Sequence, residues 1–171
     1  MTKSTSGARA SAVLFAVLCS LSLNPSMSEA RNDSYPMGPR AEMTSGSLCD
    51  HPDRYRYPEN IAYCERDVDT ELKREIIRDY DARFGYRIGS MDRQQFKIDH
   101  YIPLCMGGSN NKNNLWPQHK SVFEQTDLLE QRLCEEMAQG HLKQREAVDM
   151  IRAVKNDLSK VDEVFERIGG R

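Results

Sequence analysis

At 171 residues the chain is long enough for one modest hydrophobic core and too short for two of ordinary size. Its 24 Lys and Arg stand against 26 Asp and Glu, a formal net charge of −2. That balance excludes a protein that grips nucleic acid through a basic field spread over its whole surface, so any such grip has to be local or assisted by a metal.

Residues 1–30 read as a signal peptide. Lys3 and Arg9 supply the positive start, residues 10–23 form a short apolar run, and Ser28 and Ala30 place small residues where a signal peptidase reads. The run is shorter than the roughly 20 apolar residues of a membrane span. Cys19 follows the bulky Leu18, which disfavours a lipoprotein site. The expectation is a periplasmic or secreted protein with no membrane association after signal removal. Without Lys3, Arg9 and Glu29 the balance becomes 22 against 25, a net charge of −3.

Cysteine usage agrees with export. Cys49, Cys64, Cys105 and Cys134 remain after the signal is removed, an even number for an oxidising compartment. Three pairings are open. Cys49 with Cys64 and Cys105 with Cys134 is favoured, because the first closes a local loop and the second ties a central loop to the helix after it. A structural zinc site is the rival reading, and the absence of any C-x-x-C pair speaks against it.

Residues 31–48 are rich in Pro, Gly and Ser and their apolar residues follow neither periodicity, which predicts a flexible linker or disordered arm before a single domain over 49–171. Residues 49–64 read as an irregular loop closed by a disulfide. Arg54, Tyr55, Arg56 and Tyr57 in that loop have the composition to stack along a nucleic-acid strand, although a Tyr-rich loop packed on the domain is the better-favoured reading. His51 has no partner at metal-ligand spacing and reads as a surface histidine.

Asp69 or Thr70 caps a predicted helix to about Tyr80, with Leu72, Ile76, Ile77 and Tyr80 as its buried stripe. Residues 85–93 read as a loop. From Phe96 onward Ile98, His100 and Ile102 alternate with Lys97, Asp99 and Tyr101, the period of two of a half-buried strand that stops at Pro103. Gly107 and Gly108 permit a sharp reversal, and Leu115 and Trp116 suit a return strand anchored in the core. After Pro117 a helix is predicted from Lys120 or Ser121 to about Ala138, with Val122, Leu129, Leu133 and Met137 facing the core. A last helix spans about residues 144–168. Its stripe of Ala147, Ile151, Val154, Leu158, Val161, Phe165 and Ile168 closes the chain's own domain, with a dimer seam as the lesser alternative to a monomer.

Hydrolysis of a phosphodiester needs a base for the attacking water and a positive charge for the crowded phosphorus. His100 has the side chain for the first task, since imidazole titrates near neutrality. Asp99, projecting to the other side of the same strand, suits a hard divalent ion. Asn114, fourteen positions after His100, is expected opposite it, where its amide can hold the histidine or the loop.

The stretch I-D-H-Y-I-P-L-x-x-G-G-S-N-x-x-x-N-L-W-P-Q, residues 98–118, resembles the HNH endonucleases of the ββα-metal superfamily, in particular small exported bacterial ones. The resemblance implies an α+β fold with a ββα-metal core: a two-stranded antiparallel hairpin and a helix around one divalent metal, flanked by further helices. It implies an exported endonuclease acting on DNA, or alternatively RNA, with His100 as general base, Asp99 as metal ligand and Asn114 as the orienting residue. Mg²⁺ is the favoured ion, with Mn²⁺ or another divalent ion as the alternative. The pattern departs at Phe123, where many members carry a His or Asn ligand. Asp127, and next Glu130, are the substitutes expected, against the plainer reading that both are exposed helix acids. His119 reads as neither ligand nor phosphate contact. The other functional reading is a catalytically degenerate HNH-fold domain that binds nucleic acid or a protein partner without cleavage.

Overall fold

The computed structural model describes Met1, Thr2 and residues 34–169. The chain divides into units Met1–Arg31 and Asn32–Arg171, and every helix and strand among the described residues belongs to the second. Residues 3–30 of the expected signal peptide lie outside the described residues.

The second unit is α+β. Its elements in order are β1 (Arg54–Arg56), β2 (Ile61–Tyr63), α1 (Thr70–Phe84), β3 (Phe96–His100), β4 (Leu115–His119), α2 (Lys120–Ala138), α3 (Gln144–Asn156) and α4 (Val161–Gly169). The strands form two separate antiparallel hairpins, β1–β2 and β3–β4. In the second, Ile98 pairs with Pro117, Asp99 with Trp116 and His100 with Leu115, so the predicted return strand starts one position later than expected. β4 runs directly into α2.

Two apolar clusters organise these elements. In one, α1 lays Ile76, Ile77 and Tyr80 against Ile98, Leu115 and Trp116 of the central hairpin, with Val122 of α2. In the other, Leu129, Leu133 and Met137 of α2 meet Ala147, Ile151 and Val154 of α3 and Val164 and Ile168 of α4. Helix α1 starts where predicted, with the Asp69 carboxylate accepting from Leu72 N at 2.7 Å, and continues one turn past Tyr80 to a left-handed cap at Gly85.

Three expectations are corrected. Residues 49–64, expected to be an irregular loop, keep the disulfide closure but hold the β1–β2 hairpin, Arg54–Arg56 paired with Ile61–Tyr63. The long C-terminal helix is broken into α3 and α4 at Asp157, whose extended backbone (φ −152°) leaves the helix. Its carboxylate accepts from Ser159 N at 3.1 Å and Ser159 Oγ at 2.6 Å, a local alternative to continued helix. The apolar stripe is consequently folded back onto this chain's own α2. Residues 34–48 are also packed rather than loose: Tyr35 stacks on His119 at 3.7 Å, Gly46 N donates to Asn113 O at 2.8 Å, and Leu48 bridges to Gly108. Buried Thr44 accounts for much of this, since its hydroxyl meets Tyr80 Oη at 2.7 Å and Leu115 O at 2.9 Å. Such anchoring comes from single polar residues, which leave no periodic trace.

Both favoured disulfides are present, Cys49–Cys64 and Cys105–Cys134, with Cα–Cα separations of 5.7 and 5.9 Å. They fit an oxidising environment. No helix among the described residues is long and apolar enough to cross a membrane.

If residues 34–48 belong to the cooperative fold, Thr44→Val, which keeps the shape and leaves the Tyr80 hydroxyl hydrogen and Leu115 O without their Thr44 partner, lowers unfolding stability by about 1–3 kcal/mol in urea denaturation. A change within error would show the segment to be detachable.

Candidate functional site

The loop between β3 and β4 is built around Asn114. This fully buried residue accepts from Ile102 N through Oδ1 at 2.9 Å and donates through Nδ2 to Ile102 O at 3.0 Å and Ser109 O at 2.9 Å. It thus joins the outgoing and returning arms of the loop, and it holds the loop rather than the histidine. Gly107 sits in the left-handed region (φ 83°), and a Cβ on Gly108 would overlap Ile102 O and the Asn114 amide. The Cys105–Cys134 bond ties the loop to α2.

His100, the last residue of β3, is 2 % exposed. Its Nδ1 lies 3.2 Å from an Arg66 Nη and its Nε2 lies 3.0 Å from Asn110 Oδ1. Arginine can only donate, so Nδ1 is the acceptor, and the proton on Nε2 is donated to Asn110. Arg66 is held in turn by donating to Ile98 O at 2.8 Å, and Asn110 by donating to Glu65 O at 2.6 Å. Burial above all pushes the His100 pKa down to about 4, with Arg66 acting in the same direction and the Asn110 bond and Asp99 opposing. Arg66 and Asn110 also form the wall of a surface cavity of about 320 Å³, rimmed by Asp50, His51, Asp53 and Glu65. The residues that cover the imidazole therefore also line a cleft.

On the opposite side of β3, Asp99 faces α2 together with Lys97, two positions earlier on the same face. There Asp99, Asp127 and Glu130 each offer a carboxylate oxygen, and these oxygens lie within 4.8 Å of one another. Two lysines enter the cluster. Lys97 Nζ is 2.7 and 2.8 Å from the Asp127 oxygens and 3.2 Å from Asp99 Oδ2. Lys155 Nζ, from α3, is 2.7 Å from Glu130 Oε1 and donates to His100 O at 2.6 Å. Asp99 Oδ2 and Glu130 Oε1 are buried, and although each has an ammonium at ion-pair distance, neither receives a well-directed hydrogen bond. Burial works to raise Asp99, but Lys155 and then Lys97 outweigh it and keep that carboxyl below the usual aspartate value. Glu130 is pushed up to about 7, chiefly by burial, with Lys155 opposing.

Three close carboxylates, two with buried oxygens lacking directed donors, are a donor set suited to a hard divalent cation. Phe123 is not among them; its ring lies 4.9 Å below Lys97 Nζ. The structure thus brings together Asp99, Asp127 and Glu130, sets His100 on the other side of the strand end, and places Asn114 in the loop between. His119 caps α2, its Nδ1 accepting from Ser121 N at 3.2 Å. His51 is exposed at the cavity rim. The Arg54 and Arg56 guanidiniums lie over the Tyr63 ring at 4.9 and 3.8 Å, leaving Tyr55 outermost on β1 at 60 % exposure.

Four participants escaped the sequence reading: Lys97, Lys155, Arg66 and Asn110. For Lys97 a signal existed, since strand alternation puts it beside Asp99. Lys155 follows Val154 in a helical stripe, and Arg66 and Asn110 lie in irregular segments with no periodic cue. No protein-family model, curated protein or solved structure matches the chain.

Two outcomes are expected. Asn114→Ala leaves one buried N–H and two carbonyls without partners and costs about 3 kcal/mol in denaturant unfolding. The second concerns pH. With its folded pKa below the ordinary 6.5, His100 stays neutral while the unfolded chain takes up the proton, so its contribution to stability falls as pH drops from 6.5 toward 4. Glu130 acts oppositely, since the folded state binds its proton first between pH 7 and 4.5. In His100→Gln only the second effect remains. Relative to the unsubstituted protein, the variant's stability therefore rises by about 2 kcal/mol between pH 7 and pH 5; an unchanged difference would show that His100 is not held neutral.

Proposed function

We propose that the chain is an exported, metal-dependent endonuclease of HNH type, hydrolysing phosphodiester bonds of DNA or RNA. One observation carries this reading: the hairpin and the helix after it put three carboxylates on one side of the end of β3 and a histidine on the other, with Asn114 fastening the loop between them. In this reading that hairpin and α2 are the ββα-metal core.

Asp99, Asp127 and Glu130 would hold the ion, with Mg²⁺ or Mn²⁺ suited to oxygen ligands. When bound, such an ion supplies Lewis acidity, stabilising negative charge on the phosphate oxygens. The remaining work falls to side chains of this chain. His100 accepts the proton of the attacking water at Nδ1 as the water oxygen bonds to phosphorus and the ester oxygen leaves. Nδ1 becomes available only when Arg66 releases it, and a phosphate entering the cleft offers Arg66 a stronger, charged acceptor. Asn110 keeps the Nε2 proton in place, which fixes the tautomer a base requires. Lys155, hydrogen-bonded to the His100 carbonyl and ion-paired with Glu130, holds the two sides of the strand end together.

A second reading has its own support. Both His100 nitrogens are engaged, the cleft is rimmed by acids, and two lysines already neutralise much of the carboxylate cluster. A domain of the same architecture that binds nucleic acid or a protein partner without cutting would look like this.

The disulfide-bonded protein, incubated with plasmid and with single-stranded DNA and RNA in Mg²⁺ or Mn²⁺, is expected to cleave, to stop in EDTA, and to lose about 10²–10⁴-fold in rate in His100→Ala. Retained binding with no cleavage under any metal would overturn the enzyme reading in favour of the second.

A further inference from the structure

The two lysines of the acidic cluster are not equivalent. Lys155 is fully enclosed and anchored to the backbone at His100 O as well as to Glu130. The Lys97 side chain is 35 % exposed, and its ammonium bonds to Asp127 and pairs with Asp99, both residues of the carboxylate set. It also lies over the face of Phe123, a ring that attracts a cation and offers no lone pair to a metal. Phe123 thus serves the Lys97 ammonium.

Charge balance decides how a divalent ion can enter. With all three carboxylates ionised, as metal ligands are, and both lysines charged, the cluster stands at −1. Adding a dication beside both lysines makes it +1, with the dication and Lys97 crowded onto the same oxygens of Asp99 and Asp127. Exchanging Lys97 for the dication makes it neutral. Lys97 can leave, because its stem is long and its side chain is already partly exposed; Lys155 cannot, because it is fully enclosed and would abandon two partners.

Resting on the metal-site reading of this cluster, we propose that Lys97 is the resident counter-ion of the carboxylates, and that a divalent cation loads only by displacing its ammonium from Asp99 and Asp127. Loading is then an exchange, and Lys97 sets the cation affinity by competing for the same oxygens. The same ammonium keeps the carboxylates together when no divalent ion is bound.

The test uses the full disulfide-bonded chain and the metal ions alone. Isothermal titration with Mn²⁺ and Mg²⁺ compares the unsubstituted protein with Lys97→Met, which keeps the stem and removes the competitor, and with Asp99→Asn. Tighter binding of Mn²⁺ by at least tenfold in Lys97→Met is expected. Thermal unfolding gives an independent readout: in EDTA Lys97→Met melts lower than the unsubstituted protein, and Mn²⁺ restores more of its melting temperature than it adds to the parent. Nitrogen-edited NMR of the lysine side chains, with diamagnetic Mg²⁺ as the titrant, is expected to show the Lys97 ammonium signal moving on loading while that of Lys155 stays. Equal affinity in the parent and Lys97→Met, with binding lost in Asp99→Asn, would leave the metal site standing and overturn the exchange. No binding to any of the three proteins, each folded by circular dichroism, would remove the metal site and the exchange together.

Discussion

A fully buried ammonium organises this molecule. Lys155 is shut off from bulk solvent, so its charge must be met inside the protein, and it is met by Glu130 from α2 and the carbonyl of His100 from β3. Those partners fix where α3 lies against the end of the central hairpin. Because His100 O is one of them, the backbone that carries both His100 and Asp99 is held from beneath. Removing any member would leave a charge without compensation in a dry setting, which is far costlier than losing a surface pair.

The second constraint is the loop that β3 enters. Asn114 spans it with hydrogen bonds to Ile102 and Ser109, Gly108 admits the close approach, and Cys105–Cys134 binds it to α2. The 34–48 segment then lies along the same loop, through Gly46, Ser47 and Leu48. A short hairpin of five-residue strands is marginal by itself. Here it is clamped by a disulfide, a buried amide, a buried ammonium and a packed N-terminal segment, which is the rigidity a preorganised site needs.

The two sides of the strand end meet different environments. On the His100 side, Arg66 and Asn110 close over a neutral imidazole and present their outer faces to the cleft. On the Asp99 side, carboxylates and ammoniums alternate in a partly open cluster. Under the proposed function, the first opens to a group that competes for Arg66 and the second to a cation that competes with Lys97. Under the nuclease reading, a substrate phosphate and a divalent ion are those two competitors, so the resting protein holds its reactive groups occupied.

How much of this was legible beforehand depends on the range of each interaction. Strand alternation through Phe96–His100, the apolar stripes of α1 and α2, the Asp69 cap and the turn glycines are local regularities, and the elements formed near their expected places. Of the three pairings the four cysteines allow, the one favoured for its local closure at Cys49–Cys64 and its tie from Cys105 to the next helix is the one formed. The nearness of Asp127 and Glu130 to Asp99 was expected from a resemblance, and the structure supplies the distances. Hidden from the sequence were the break at Asp157, where a side chain outcompetes the helix ladder, and the anchoring of Thr44, which depends on Tyr80 and Leu115 far along the chain. Periodicity and turn chemistry act over a few residues, so the sequence by itself determined where most of the helices and the central hairpin form and which residue types lie at the end of β3. Whether those residues are free or occupied was decided only in three dimensions, because the partners that hold them, Arg66, Asn110, Lys97 and Lys155, include groups 34 and 55 positions from His100 and one 30 positions from Asp127.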